Sequence, residues 1–191
     1  MPQSFSPSDT DKKFCITLAR KSIEYYLKSH VSLWVDEEVM PKKLKEKKAC
    51  FVTITIDSRL RGCIGHLKAI QELYLDIIEN ATSSAFSDPR FPKLKQEELS
   101  KIKVEVSILT DPTPLTYTDS ADLLKKIKVG KDGLIIKKGY NSATFLPSVW
   151  EQIPLKENFL SHLCVKAGLD VNEWRSGSLK VEKYEAIKAV E

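Results

Sequence analysis

The sequence predicts an α+β fold, a mainly antiparallel sheet flanked by helices. Residues 101–109 alternate strictly, with Ile102, Val104, Val106 and Ile108 on one face and Lys101, Lys103, Glu105 and Ser107 on the other. That is the pattern of a half-exposed antiparallel strand. Elsewhere, apolar residues recur at helical spacing in stretches well separated along the chain. Hairpin signals and helices are interspersed rather than ordered as βαβ units, which argues against a doubly wound parallel sheet.

The elements follow in order. Residues 1–9 read as a floppy polar start. From Asp11, the positions Cys15, Leu18, Ala19, Ser22, Ile23, Tyr26 and Leu27 mark an amphipathic helix ending near His30. The cationic stretch 42–48 reads as a solvated loop or helix face, with docking of an acidic partner as the alternative. Residues 51–56 form a β-branched run and hence a strand. Asp57 and Ser58 turn the chain, and 60–66 returns as a second strand.

Leu73, Ile77, Ile78, Ala81 and Ala85 define another helix, which Pro89 and Pro92 prevent from continuing. After the strand at 101–109, the segment 112–114 reads as a linker. A short helix spans 120–126 with Ser120 as its N-cap. Turn signals at 131–133 and 139–141 flank a hairpin strand, and Phe145 and Leu146 end the next one. Phe159, Leu160, Leu163, Cys164 and Ala167 line a third helix, stopped by Gly168, with Trp174 packed on its end. Residues 179–186 close the fold as a strand.

A chain of 191 residues suits one domain, or two small lobes sharing a core. Hydrophobic content of 42% and charged content of 29% are those of an ordinary soluble domain. No apolar run approaches the roughly 18 residues a membrane span needs, and the first residues carry no signal-peptide core. A net charge of +4, with no nucleic-acid-binding signature, gives no basis for a nucleic-acid partner. The expectation is a cytoplasmic protein with neither membrane nor nucleic acid as partner. Cys15, Cys50, Cys63 and Cys164 are widely spaced and contain no Cys-x-x-Cys pair, so reduced thiols are expected. No cofactor motif is evident.

The chemically richest segment is Leu60-Arg61-Gly62-Cys63-Ile64-Gly65, continued by His66. It sets a thiol between two glycines and beside an arginine, a cation that lowers a thiol's pKa. In a regular strand Arg59, Arg61 and Cys63 share one face, and Gly62, Ile64 and His66 the other. Cys63 and Arg61 are therefore the candidate catalytic residues. His66 enters only if a bulge at Gly65 turns it toward the thiol. Gly62 and Gly65 leave room for a substrate or oxyanion to reach backbone N–H groups. The alternative reading makes Cys63 a small buried hydrophobe in a tightly packed hairpin, its glycines admitting another segment; a redox-sensing thiol is a third. Metal is not expected, because a zinc site wants about four ligands and no second pair stands near Cys63 and His66.

Asp88 and Arg90, on a proline-stiffened loop, either clamp a carboxylate or phosphate or bond one another to fix the loop. Asn80, in an otherwise apolar helix face, is a cleft residue or an internal strut.

These segments, with Cys50-Phe51-Val52-Thr53, Asn80-Ala81, Ala85 to Phe91, Asp132-Gly133-Leu134-Ile135, Phe145-Leu146-Pro147 and Lys166-Ala167-Gly168-Leu169, run in the order of the AMMECR domain family, which the chain resembles over nearly its whole length. The resemblance implies one larger and one smaller lobe with a cleft near the Arg-Gly-Cys-Ile-Gly segment. It also implies a link to Memo-type and radical-SAM proteins in a modification pathway. Ser83 and Ser84 stand where the family often has alanines, and Val149 follows Ser148 where a glutamine is common. Two functions follow: a small enzyme or enzyme subunit using Cys63 for acyl-, alkyl- or thiol-transfer on a small molecule, or a non-catalytic adaptor that binds a partner protein.

Overall fold

The computed structural model describes residues 5–191. The fold is α+β, and the chain divides into two compact units. The first ends at Thr110 and takes in Ile187–Glu191; the second spans Asp111–Ala186.

In the first unit, helix α1 (Asp9–Ser29) is started by Ser8, whose hydroxyl accepts from the Asp11 N–H while Asp11 accepts in return from the Ser8 N–H. This reciprocal cap satisfies two donors that the first turn leaves open. The expected floppy start is thus corrected over the described residues 5–9: Phe5 is buried in the core, and Ser8 and Asp9 belong to the helix and its cap. Residues 1–4 lie outside the described residues. The cationic stretch is also more structured than a solvated loop. It makes a 3-10 turn at Lys42–Lys45 that buries Leu44, and the ammonium groups of Lys43 and Lys48 lie over the ring of Phe5.

Strands β1 (Cys50–Ile56) and β2 (Arg59–Gly65) form a hairpin through Asp57 and Ser58, both in the left-handed region. Helix α2 (Leu73–Phe86) and strand β3 (Ile102–Leu109) follow. The sheet order is β2-β1-β3-β8, where β8 is Ala186–Val190. Both helices pack on the face that carries Cys50, Val52 and Ile54 of β1 and Ile102, Val104, Val106 and Ile108 of β3. The opposite face presents Thr53, Cys63 and Glu105 in register across three strands.

The second unit holds β4 (Thr113–Pro114), α3 (Ser120–Lys126), β5 (Gly133–Lys138), β6 (Asn141–Phe145), α4 (Lys156–Lys166) and β7 (Lys180–Tyr184), with sheet order β4-β7-β5-β6. Its core gathers Leu123, Leu134, Ile136, Trp150, Phe159, Leu163 and Trp174. Trp150 stacks on Phe159 with ring centroids 3.6 Å apart. Gly168, in the left-handed region, ends α4 as expected. Three details differ from expectation. Asp119, not Ser120, caps α3. The segment read as a linker supplies β4, which pairs with β7. The closing strand is two strands, β7 in this sheet and β8 in the other.

Candidate functional site

Cys63 lies in β2, the edge strand of its sheet, directly opposite Thr53. The Thr53 hydroxyl donates to its sulfur at 3.3 Å. An edge strand has outward N–H and C=O groups with no neighbouring strand to pair them. At Cys63 one ion pair satisfies both: the N–H donates to Asp88 Oδ2 at 2.9 Å, and the carbonyl accepts from Arg90 Nη2 at 3.0 Å. Arg90 closes the loop on Asp88 through Nε at 3.0 Å and Nη2 at 2.7 Å. Asp88 is buried, and the Arg90 guanidinium, helped by the Cys63 N–H, holds its carboxyl far below the usual carboxylate range. Asp88 and Arg90 therefore fix their own loop and clamp the thiol's backbone.

Arg61 requires a correction. Ile54 pairs with Gly62 but Thr55 pairs with Leu60, so Arg61 has no partner in the register. Such a bulge breaks the alternation that would have set Arg61 beside Cys63. Its guanidinium forks onto Glu98 instead, Nε to Oε1 at 2.8 Å and Nη2 to Oε2 at 3.0 Å, with the side chain only 12% exposed. Arg61 holds the Glu98 carboxyl below its ordinary range and makes no hydrogen bond to the thiol. Because the bulge falls at Arg61 rather than Gly65, His66 is not redirected. Its Nδ1 lies 2.6 Å from Asp76 Oδ1, and no Cys63–His66 dyad forms.

The glycines serve close packing. A side chain on Gly62 would run into the backbone carbonyl of Ser84, and one on Gly65 into the Phe51 ring and the Cys50 carbonyl. The expected oxyanion donors are also occupied: the N–H of Cys63 is on Asp88, and that of Ile64 donates to Ser84 Oγ at 2.9 Å.

Asn80 is an internal strut, one member of a row of buried polar residues on α2. Asp76, Asn80 and Ser84 recur every fourth residue along α2, all buried. Asp76 accepts from the Cys50 N–H, Asn80 donates to the Cys50 carbonyl, and Ser84 donates to the Val52 carbonyl while accepting from Ile64. Asp88, four residues further and past the helix end, continues the row onto Cys63. This polar spine pins β1 and β2 to α2. The spacing of four was visible in the sequence, since positions i and i+4 share a helix face.

The family model described as AMMECR1 matches residues 16–189. The chain belongs to the AMMECR1 family. Among its AMMECR1-like relatives, a protein of Methanopyrus kandleri is 38% identical over 182 residues, covering 91% of this chain and 85% of that one. One of Nanoarchaeum equitans is 40% identical over 174 residues, covering 88% and 93%. A crystal structure of an uncharacterized protein from Pyrococcus horikoshii matches with a TM-score of 0.80 at 38% identity, covering 95% of this chain and 91% of that one.

Within this AMMECR1 fold the thiols are not equivalent. Cys15, Cys50 and Cys164 are buried, and Cys63 is half-buried. Burial pushes the Cys15 thiol up to about 12 and raises those of Cys50 and Cys164. Among the described residues no group of three or more His, Cys, Asp or Glu side chains is placed to hold a metal ion. No helix among them is long and apolar enough to cross a membrane.

Proposed function

We propose that Cys63 is an acceptor thiol, taking an acyl or alkyl group from an already activated small-molecule donor. The observation that carries this reading is the contrast among the thiols. Three are buried and held neutral, whereas Cys63 is half-exposed on a strand whose backbone is clamped at both N–H and C=O. A nucleophile held rigidly at an accessible position loses little entropy on reaction.

The surroundings suit transfer from an activated donor better than hydrolysis of an amide. Among the described residues no general base bonds the sulfur, and the adjacent N–H groups are occupied. With a thioester donor, the Cys63 sulfur forms a bond to the carbonyl carbon as the donor's C–S bond breaks. The departing thiolate then takes the proton that Cys63 gives up. An enzyme subunit of this kind fits the pathway with Memo-type and radical-SAM proteins that the family resemblance implies.

Alkylation tests the reading. In native protein near neutral pH, iodoacetamide should modify Cys63 at least about tenfold faster than Cys15, Cys50 or Cys164, as expected of an accessible thiol against buried ones. Uniformly slow labelling would overturn it. Cys63→Ser should leave stability within about 1 kcal/mol of wild type. A larger loss would make the segment a structural corner and favour the adaptor reading.

A further inference from the structure

Beyond β2, on the helix-bearing face of the same sheet, lies a polar centre that the thiol reading does not use. Asp76 is fully buried, with 0% of its surface exposed. It accepts from the Cys50 N–H at 2.8 Å, Asn80 Nδ2 at 3.0 Å and Gln71 Nε2 at 3.2 Å, and lies 2.6 Å from His66 Nδ1.

These contacts fix the histidine's tautomer. An ionised carboxylate can only accept, so the short contact requires the proton on Nδ1. Asn80 also comes within 3.4 Å of that nitrogen, but its two N–H bonds are engaged by Asp76 and the Cys50 carbonyl. In the neutral imidazole the lone pair therefore resides on Nε2. The His66 backbone is pinned as well, its N–H donating to the Cys50 carbonyl at 3.1 Å. Its side chain is 31% exposed with Nδ1 turned to the buried carboxylate, and among the described residues no hydrogen bond engages Nε2. Next along the chain, Leu67 and Ile70 are 48% and 61% exposed, apolar side chains open to a ligand.

We infer that His66 and Asp76 form a proton-accepting site separate from Cys63. His66 Nε2 takes the proton of a hydroxyl on a ligand whose apolar part rests on Leu67 and Ile70. The O–H bond breaks, an Nε2–H bond forms, and the electron pair stays on oxygen. Asp76 is the positioning residue: it selects the tautomer and stabilises the imidazolium that results. His30, at the C-terminus of α1, and His162, on α4, are both exposed and neither is bonded to a carboxylate, so they serve as internal controls.

Asp76 also holds Cys50, so the deciding measurements use the wild-type chain, with His66→Gln serving to assign signals. In ¹⁵N–¹H spectra of the imidazoles near pH 7.5, His66 should show a protonated Nδ1 and a bare Nε2. With diethyl pyrocarbonate as the probe electrophile, His66 should be modified at Nε2 at least about threefold faster than His30 or His162, because the carboxylate on Nδ1 fixes the ring's tautomer and orientation with Nε2 as the bare nitrogen. A proton found on Nε2 overturns the inference, and so does modification of His66 no faster than that of the two exposed histidines.

Discussion

Asp88 accepts from the N–H of Cys63, from the N–H of Arg90 and twice from the Arg90 guanidinium, and it does so while buried. A buried carboxylate persists in its charged form only when its partners compensate for lost hydration. Removing the guanidinium leaves that compensation to two backbone N–H groups, so Arg90→Met should cost about 1–3 kcal/mol at pH 7. The pH dependence has a definite sign. Arg90 lowers the folded-state pKa of Asp88, so the stabilisation is fully present above the unfolded value of about 4 and fades as pH falls below it. Urea denaturation of the two proteins should therefore show a gap at pH 7 that narrows by pH 3. A gap that stayed constant or widened toward acid would remove Asp88–Arg90 as the clamp on Cys63.

At the scale of the element, α2 and the β1–β2 hairpin are locked by two complementary devices. The polar spine Asp76–Asn80–Ser84 supplies hydrogen bonds to the strands, and Gly62 allows the helix backbone to come close enough to make them. Gly62→Ala would drive a methyl group into the Ser84 carbonyl, which belongs to the helix backbone and cannot swing aside. A loss of about 1–3 kcal/mol is expected from overpacking, with faster amide exchange at Ile64 because its bond to Ser84 is strained. An unchanged melting temperature would mean that α2 is free to shift. Much of this arrangement was legible beforehand. The alternation of 101–109 and the stripes of α1 and α2 are set by which side chains must leave water, and that is written in local spacing. The bulge at Arg61 was not, because Glu98 lies far along the chain and its pull on the guanidinium leaves no local trace. Ser84 stands in the sequence where the family often has alanine, but its role depends on the Val52 carbonyl and the Ile64 N–H, which only the folded chain brings to either side of it.

For the whole molecule, the path of the chain has an energetic consequence. The second unit is inserted between β3 and β8, so the first unit's sheet is completed only after the chain returns at Ile187. Strands β4 and β7 pair Thr113 with Lys183, which keeps the outgoing and returning segments side by side. Each unit also has a separate apolar cluster, one beneath α1 and α2 and one around Trp150, Phe159 and Trp174. Stability confined within such units shows up as local cooperativity rather than a single opening event. Trp174 is fully buried and its indole N–H donates to Ser161 at 3.0 Å. Trp174→Ala should remove about 3–5 kcal/mol from the unit that contains it. Hydrogen exchange followed by mass spectrometry should then show much faster exchange in β5 and β7, while β1 and β3 stay close to wild type. The first unit would lose only the benefit of having its ends held together, and loop-closure entropy grows slowly with length, at about 0.6 kcal/mol for each doubling. Equal acceleration in β1, β3, β5 and β7 would show instead that the two cores melt as one.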